Sequence, residues 1–119
     1  MTRVLVVDDD PQFRRVVRIA LAASGYEVSE AADGLQALDE MGAKPINVVL
    51  LDWKMPRMDG AAACKAIRAR SEVPIIVVTA SDSVRDASAI GVDAILRKPV
   101  NIEALRGRIE TALEVRGIH

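Results

Sequence analysis

The chain has 119 residues, half of them apolar, and a formal net charge of −1, which suits one domain over residues 1–119 with a real hydrophobic core. Charged residues make up 28% of it with the signs nearly balanced, so there is no basic excess to drive nucleic-acid binding. No apolar run is long enough to cross a bilayer, no signal-peptide pattern opens the chain, and a single cysteine, Cys64, excludes an internal disulfide; the expectation is a soluble, cytoplasmic protein without a membrane partner.

The first apolar run, RVLVV at 3–7, is continuous rather than alternating, as in a strand buried on both faces. It stops at three consecutive acids, Asp8, Asp9 and Asp10. A helical pattern follows through Phe13, Val17, Ala20, Leu21 and Ser24. Asp10 is placed to cap it, Pro11 suits its first turn and Gly25 ends it. The next run, YEVSE at 26–30, is more polar and reads as an edge strand; Leu35, Ala37, Leu38 and Met41 then mark a second helix.

A third run, NVVLL at 47–51, leads into Asp52 and the loop Trp53-Lys54-Met55-Pro56. Asp59 and Gly60 stand where a third helix begins, from Ala61 to Ala69. The fourth run, PIIVV at 74–78, is followed by Thr79, Ala80 and Ser81, and a short fourth helix is expected over 83–90. The fifth run, DAILR at 93–97, gives way to Lys98 and Pro99. A last helix, from about Ile102 to Val115, buries Ile102, Leu105, Ile109, Ala112 and Leu113.

Strand and helix alternate five times, which implies a doubly wound α/β fold: a five-stranded parallel sheet with five alternating helices. In such sheets ligands bind beyond the carboxyl ends of the strands. Asp8, Asp9, Asp52, Thr79 and Lys98 all follow predicted strands, so they should cluster. Carboxylates forced together need a cation or take up a proton. Oxygen ligands without His or Cys favour a hard ion, magnesium before zinc. A carboxylate beside that ion can attack phosphorus, a lysine can neutralise phosphate oxygens, and a threonine hydroxyl can donate to them. The set suits phosphoryl transfer, where catalysis is mostly positioning and charge neutralisation. The plain readings are stronger elsewhere: Asp10 is a helix cap, Cys64 a small core residue and Trp53 a structural one.

These motifs, VVDDD at 6–10, LDWKMPRMDG at 51–60, VVTAS at 77–81 and RKPV at 97–100, together resemble the receiver domain of two-component response regulators over essentially the whole chain. The resemblance implies a flavodoxin-like fold and a phosphorylation switch. It makes Asp52 the phospho-acceptor, with Mg2+ held by Asp8, Asp9, Asp52 and the backbone carbonyl of Lys54. Thr79 would bond the phosphoryl group, Lys98 would pair with it, and the Lys98–Pro99 bond would be cis. The donor would be a sensor histidine kinase or a histidine phosphotransfer protein, docking near Arg14, Arg15 and Arg18 of the first helix. Such a domain catalyses its own phosphorylation and dephosphorylation, yet serves as a switch. A phosphorylation-dependent dimer is compatible with the resemblance, and the downstream target stays open.

Three features depart from the family pattern. Ile95 stands where many receivers carry Tyr or Phe, so coupling to the output face is expected to use backbone shifts around Thr79. The Thr79–Lys98 interval is a few residues short, which maps to the fourth helix or the loop before it. Lys54 puts a cation beside the site. These departures favour, mildly, an alternative in which the same fold is a phosphorylation-independent interaction module. A magnesium-dependent aspartyl phosphatase fits less well, since Lys54 occupies the position where a second acid is needed. The absence of a G-x-G-x-x-G after the first strand weighs against dinucleotide binding.

Overall fold

A computed structural model describes residues 1–81, 84 and 91–115 of the chain. Five strands, β1 (Arg3–Val7), β2 (Glu27–Ala31), β3 (Val48–Leu51), β4 (Ile75–Thr79) and β5 (Ala94–Arg97), form one sheet. All neighbouring pairs are parallel, in the order β2-β1-β3-β4-β5. The described helices are α1 (Pro11–Ala23), α2 (Gly34–Ala43), α3 (Gly60–Arg68) and α4 (Ile102–Val115). The doubly wound expectation holds. The helix expected over 83–90 lies, but for Val84, outside the described residues.

Side chains of a strand alternate between faces, and here both faces are covered. Leu5, Val7, Val49, Leu51, Ile75 and Val77 face one way, against Ala37 of α2 and Ala63, Cys64 and Ile67 of α3. Val4, Val6, Val48, Leu50, Ile76 and Val78 face the other, against Val17 and Leu21 of α1 and Leu105, Ile109, Ala112 and Leu113 of α4. That explains why the three central runs are continuously apolar. Small residues on α2 and α3 let those helices lie close to the sheet.

Helix starts follow the capping pattern. Asp10 accepts the amide of Gln12 at 2.9 Å and Pro11 opens α1. Asp33 accepts Gln36 N, Asp59 accepts Ala62 N, both at 2.9 Å, and Asn101 accepts Ala104 N at 3.1 Å. Asp59 thus does start α3, as its place in the sequence implies.

Two strands sit one residue later than expected. Tyr26 still closes the end of α1, its amide donating to Leu21 O at 3.1 Å, so β2 begins at Glu27. Pro74 has no N–H for the ladder, and β4 runs from Ile75 to Thr79, where Thr79 pairs with Arg97. Thr79 therefore ends the strand instead of following it. Ser24, expected on the inner face of α1, is its exposed C-cap. Leu35 of α2 is largely exposed and Ile102 only half-buried.

The α4 seam carries much of one face's packing. Ile109 is fully buried, so Ile109→Ala should lower unfolding free energy by about 3 kcal/mol; urea denaturation at unchanged m-value measures it. Gly107→Ala on the exposed side of the same helix, with open space around a new Cβ, should instead stabilise by up to about 1 kcal/mol.

Candidate functional site

In this strand order the chain leaves β1 toward one edge and returns to the other side of β1 as β3. Their carboxyl ends therefore flank the crevice at the switch point of the sheet. The acids stand on its two sides. Asp8 extends β1, its amide donating to Ala31 O of β2 at 3.0 Å; Asp52 extends β3, its amide donating to Val7 O at 2.9 Å. Lys98 extends β5 in the same way, its amide donating to Thr79 O of β4 at 3.0 Å. Each side chain thus springs from backbone already tied to the end of a neighbouring strand.

The result is one compact acidic cluster. Carboxylate oxygens of Asp8, Asp9 and Asp52 all lie within 4.8 Å of one another, close enough for one cation to touch all three. Asp8 and Asp52 are buried and Asp9 is exposed. Lys98 Nζ donates to Asp8 Oδ2 at 2.6 Å and lies 3.7 Å from Asp52 Oδ2. The ammonium also stands over the Phe13 ring, 4.1 Å from its centroid, a cation–π contact that holds the charge on the α1 side. The Lys98–Pro99 bond is cis.

Backbone amides occupy the inner oxygens. Asp8 Oδ1 accepts Asp10 N at 2.9 Å, and Asp52 Oδ1 accepts Trp53 N at 2.7 Å. Thr79 is buried and its Oγ1 accepts Ser81 N at 3.1 Å. Arg14 braces the turn from behind: Nη1 donates to Asp8 O at 2.6 Å and Nε to Glu30 at 3.1 Å. Gly60 starts α3 where no side chain fits; a Cβ there would lie 2.5 Å from Asp52 O and from Trp53 Cα. Its amide donates to Trp53 O at 2.9 Å, closing the loop that leaves Asp52.

The metal, acceptor and phosphate-contacting residues singled out in the sequence sit at this end of the sheet. Asp8, Asp9, Asp52 and Lys98 converge, Thr79 stands at the adjoining strand end, and Lys54 is exposed in the loop after Asp52. Ile95 is half-buried and packs against the core on the α3 side of the sheet. Phe13 and Arg14 are additions. Phe13 fell in the apolar pattern of α1, and only the tertiary structure, which brings Lys98 over it, reveals its ring under the ammonium.

The response regulator receiver domain profile matches residues 4–110. This chain belongs to the response regulator receiver family. Among solved structures, the chemotaxis protein CheY4 of Vibrio cholerae superposes with a TM-score of 0.89 at 35% identity, covering 95% of this chain and 99% of that one. Response regulator TrrA of Thermotoga maritima, solved in complex with Mg2+ and BeF, gives 0.87 at 32%, covering 95% and 100%. Among curated relatives, response regulator MprA of Mycobacterium sp. (strain KMS) is 41% identical over 115 residues, which is 93% of this chain and 50% of MprA. The receiver spans about half the length of the curated relatives it matches.

The electrostatics of the site centre on Asp8. Burial pushes its carboxyl above the usual range, the Lys98 and Asp10 hydrogen bonds oppose that, and the negative charge of Asp52 adds to it. A carboxyl raised in the native state contributes most to stability below its unfolded value, near 3.9, and loses that contribution as pH rises through the native value. At neutral pH the Asp8 carboxyl is therefore a net cost to the metal-free fold. Asp8→Asn should raise the thermal midpoint of metal-free protein by several degrees at pH 7, with the gain vanishing on acidification below about pH 4; calorimetry across that range, with chelator present, tests it.

Proposed function

We propose that the receiver accepts a phosphoryl group from a phosphohistidine donor onto Asp52, with Mg2+ held by Asp8, Asp9, Asp52 and the backbone carbonyl of Lys54. The observation that carries this reading is the trio of carboxylates within 4.8 Å of one another, with Lys98 as the neighbouring cation. An all-oxygen donor set fits a hard divalent ion. When bound, Mg2+ supplies positive charge to the three carboxylates and to incoming phosphate oxygens. Support also comes from TrrA, whose structure carries Mg2+ and BeF.

Asp52 attacks phosphorus as a carboxylate. A P–O bond to Asp52 forms, the P–N bond to the donor histidine breaks, and the freed imidazole nitrogen takes a proton from water. Lys98, poised between Asp8 and Asp52, moves its charge toward the new phosphoryl oxygens. Thr79 turns its hydroxyl to the same oxygens, and the backbone near it carries the signal onward. Ile95, having no ring to swing, follows by packing. Water later cleaves the acyl phosphate. A kinase that draws on ATP places the domain in the cytoplasm.

The donor docks on α1 beside the site. Of the three arginines marked in the sequence, Arg14 and Arg18 both pair with Glu30, at 3.1 and 3.0 Å, leaving Arg15 exposed. The apolar share of the surface comes from Val16 and Ile19, 60% and 55% exposed. Val16 lines a cavity of about 390 Å3 together with Phe13, Lys98 and Pro99. Apolar contact ringed by charge is the usual composition of a docking face.

Intact mass after incubation with a small phosphodonor should show one added phosphoryl group in native protein with Mg2+. Chelator or Asp52→Ala should abolish it. A gain retained by Asp52→Ala would move the acceptor elsewhere, and no gain in native protein would favour a phosphorylation-independent module. Val16→Asp should slow transfer from a phosphorylated histidine phosphotransfer domain at least 10-fold, the effect of losing roughly 1.4 kcal/mol of docking energy, while leaving phosphorylation by the small donor unchanged. Equal slowing with both donors would place the defect in the site and not in docking.

A further inference from the structure

The loop after Asp52 contains the only described non-glycine residue with a left-handed backbone, Arg57, at φ 65°. An L-residue takes up that conformation at a cost and keeps it only where its surroundings impose it. Here the side chain grips a single carboxylate. Arg57 Nε donates to Asp33 Oδ2 at 2.7 Å, and Nη2 donates to the same oxygen. Asp33 Oδ1 is already used, accepting Gln36 N at the start of α2. Asp33 is buried, 4% exposed, whereas the Arg57 side chain is half exposed and lies over it. A buried carboxylate left without its cation is costly, so the contact differs from an ordinary surface ion pair, whose worth is small.

The backbone supports the same contact. Gly34 N donates to Met58 O at 3.4 Å, and a Cβ on Gly34 would lie 2.8 Å from Met58 Cγ and Sδ, so a side chain there would force Met58 to shift. At its other end the loop is tied by Gly60 N to Trp53 O. Lys54 lies between buried Trp53 and Arg57, with Pro56 stiffening the span.

We propose that Arg57 is a positioning residue for the metal site: by gripping Asp33 it pins the 53–59 loop to the start of α2 and so holds the backbone at Lys54 in place to ligate. This rests on the reading of the acidic cluster as a Mg2+ site. Groups that orient a metal's ligands from outside commonly affect affinity 10- to 100-fold when removed.

The test uses Mg2+ titration followed by fluorescence of Trp53, the only tryptophan, together with hydrogen exchange at 54–58 in metal-free protein. Arg57→Gly removes the grip but accepts the left-handed backbone without strain. It should weaken Mg2+ binding about 10-fold and speed exchange at 54–58, with exchange in β1 and β3 unchanged. Asp33→Asn keeps the helix cap and loses the charge, and should do the same. Arg57→Lys should recover part of the affinity, which a purely steric role for the side chain would not allow. Native affinity and native exchange in both Arg57→Gly and Asp33→Asn would overturn the proposal. A native protein blind to Mg2+ overturns the reading of the cluster instead, and exchange at 54–58 then decides whether the pin exists.

Discussion

Like charges at close range in a buried place are the constraint on which this molecule turns. Asp8, Asp9 and Asp52 bring carboxylate oxygens within 4.8 Å of one another at the mouth of a sheet whose central strands are buried and almost wholly apolar. Nothing in the core can neutralise them. Burial and mutual repulsion raise the Asp8 carboxyl, and Lys98 relieves it with a 2.6 Å contact. The folded state is therefore held in a configuration that a divalent cation improves.

The sheet makes this tolerable because it leaves the acids no freedom to move apart. Asp8, Asp52 and Lys98 are each bonded through the backbone to the last residue of an adjacent strand, Ala31, Val7 and Thr79. Two layers of helices clamp the strands from either side. Behind the site, Arg14 braces the turn at Asp8 and Gly60 lets α3 start against the backbone of Asp52. The rigid half of the site is thus built on strands. Its other half is the 53–59 loop, tied to the start of α2 through Arg57 and Gly34.

The side chains on the α1 side serve a second purpose. Phe13 lies beneath the Lys98 ammonium and also lines the groove where Val16 is exposed. The cation of the site and this apolar groove thus share one aromatic ring.

Local pattern determined most of the architecture. Continuous Val/Ile/Leu runs, punctuated by Asp10, Asp33, Asp59 and Asn101 as caps, define strands and helices because burial on both faces and helix capping depend only on near neighbours. The rule that parallel sheets bind at their carboxyl ends puts Asp8, Asp9, Asp52, Thr79 and Lys98 at one edge from the sequence alone. What tertiary structure alone decided are contacts between residues far apart in the chain. Lys98 reaches Asp8 across 90 positions, its ammonium rests on Phe13, and Arg57 closes on Asp33 across 24. Arg14 and Arg18, exposed charges by sequence, are occupied by Glu30. Strand order and helix packing set such distances, and neither is written in the spacing of any single segment.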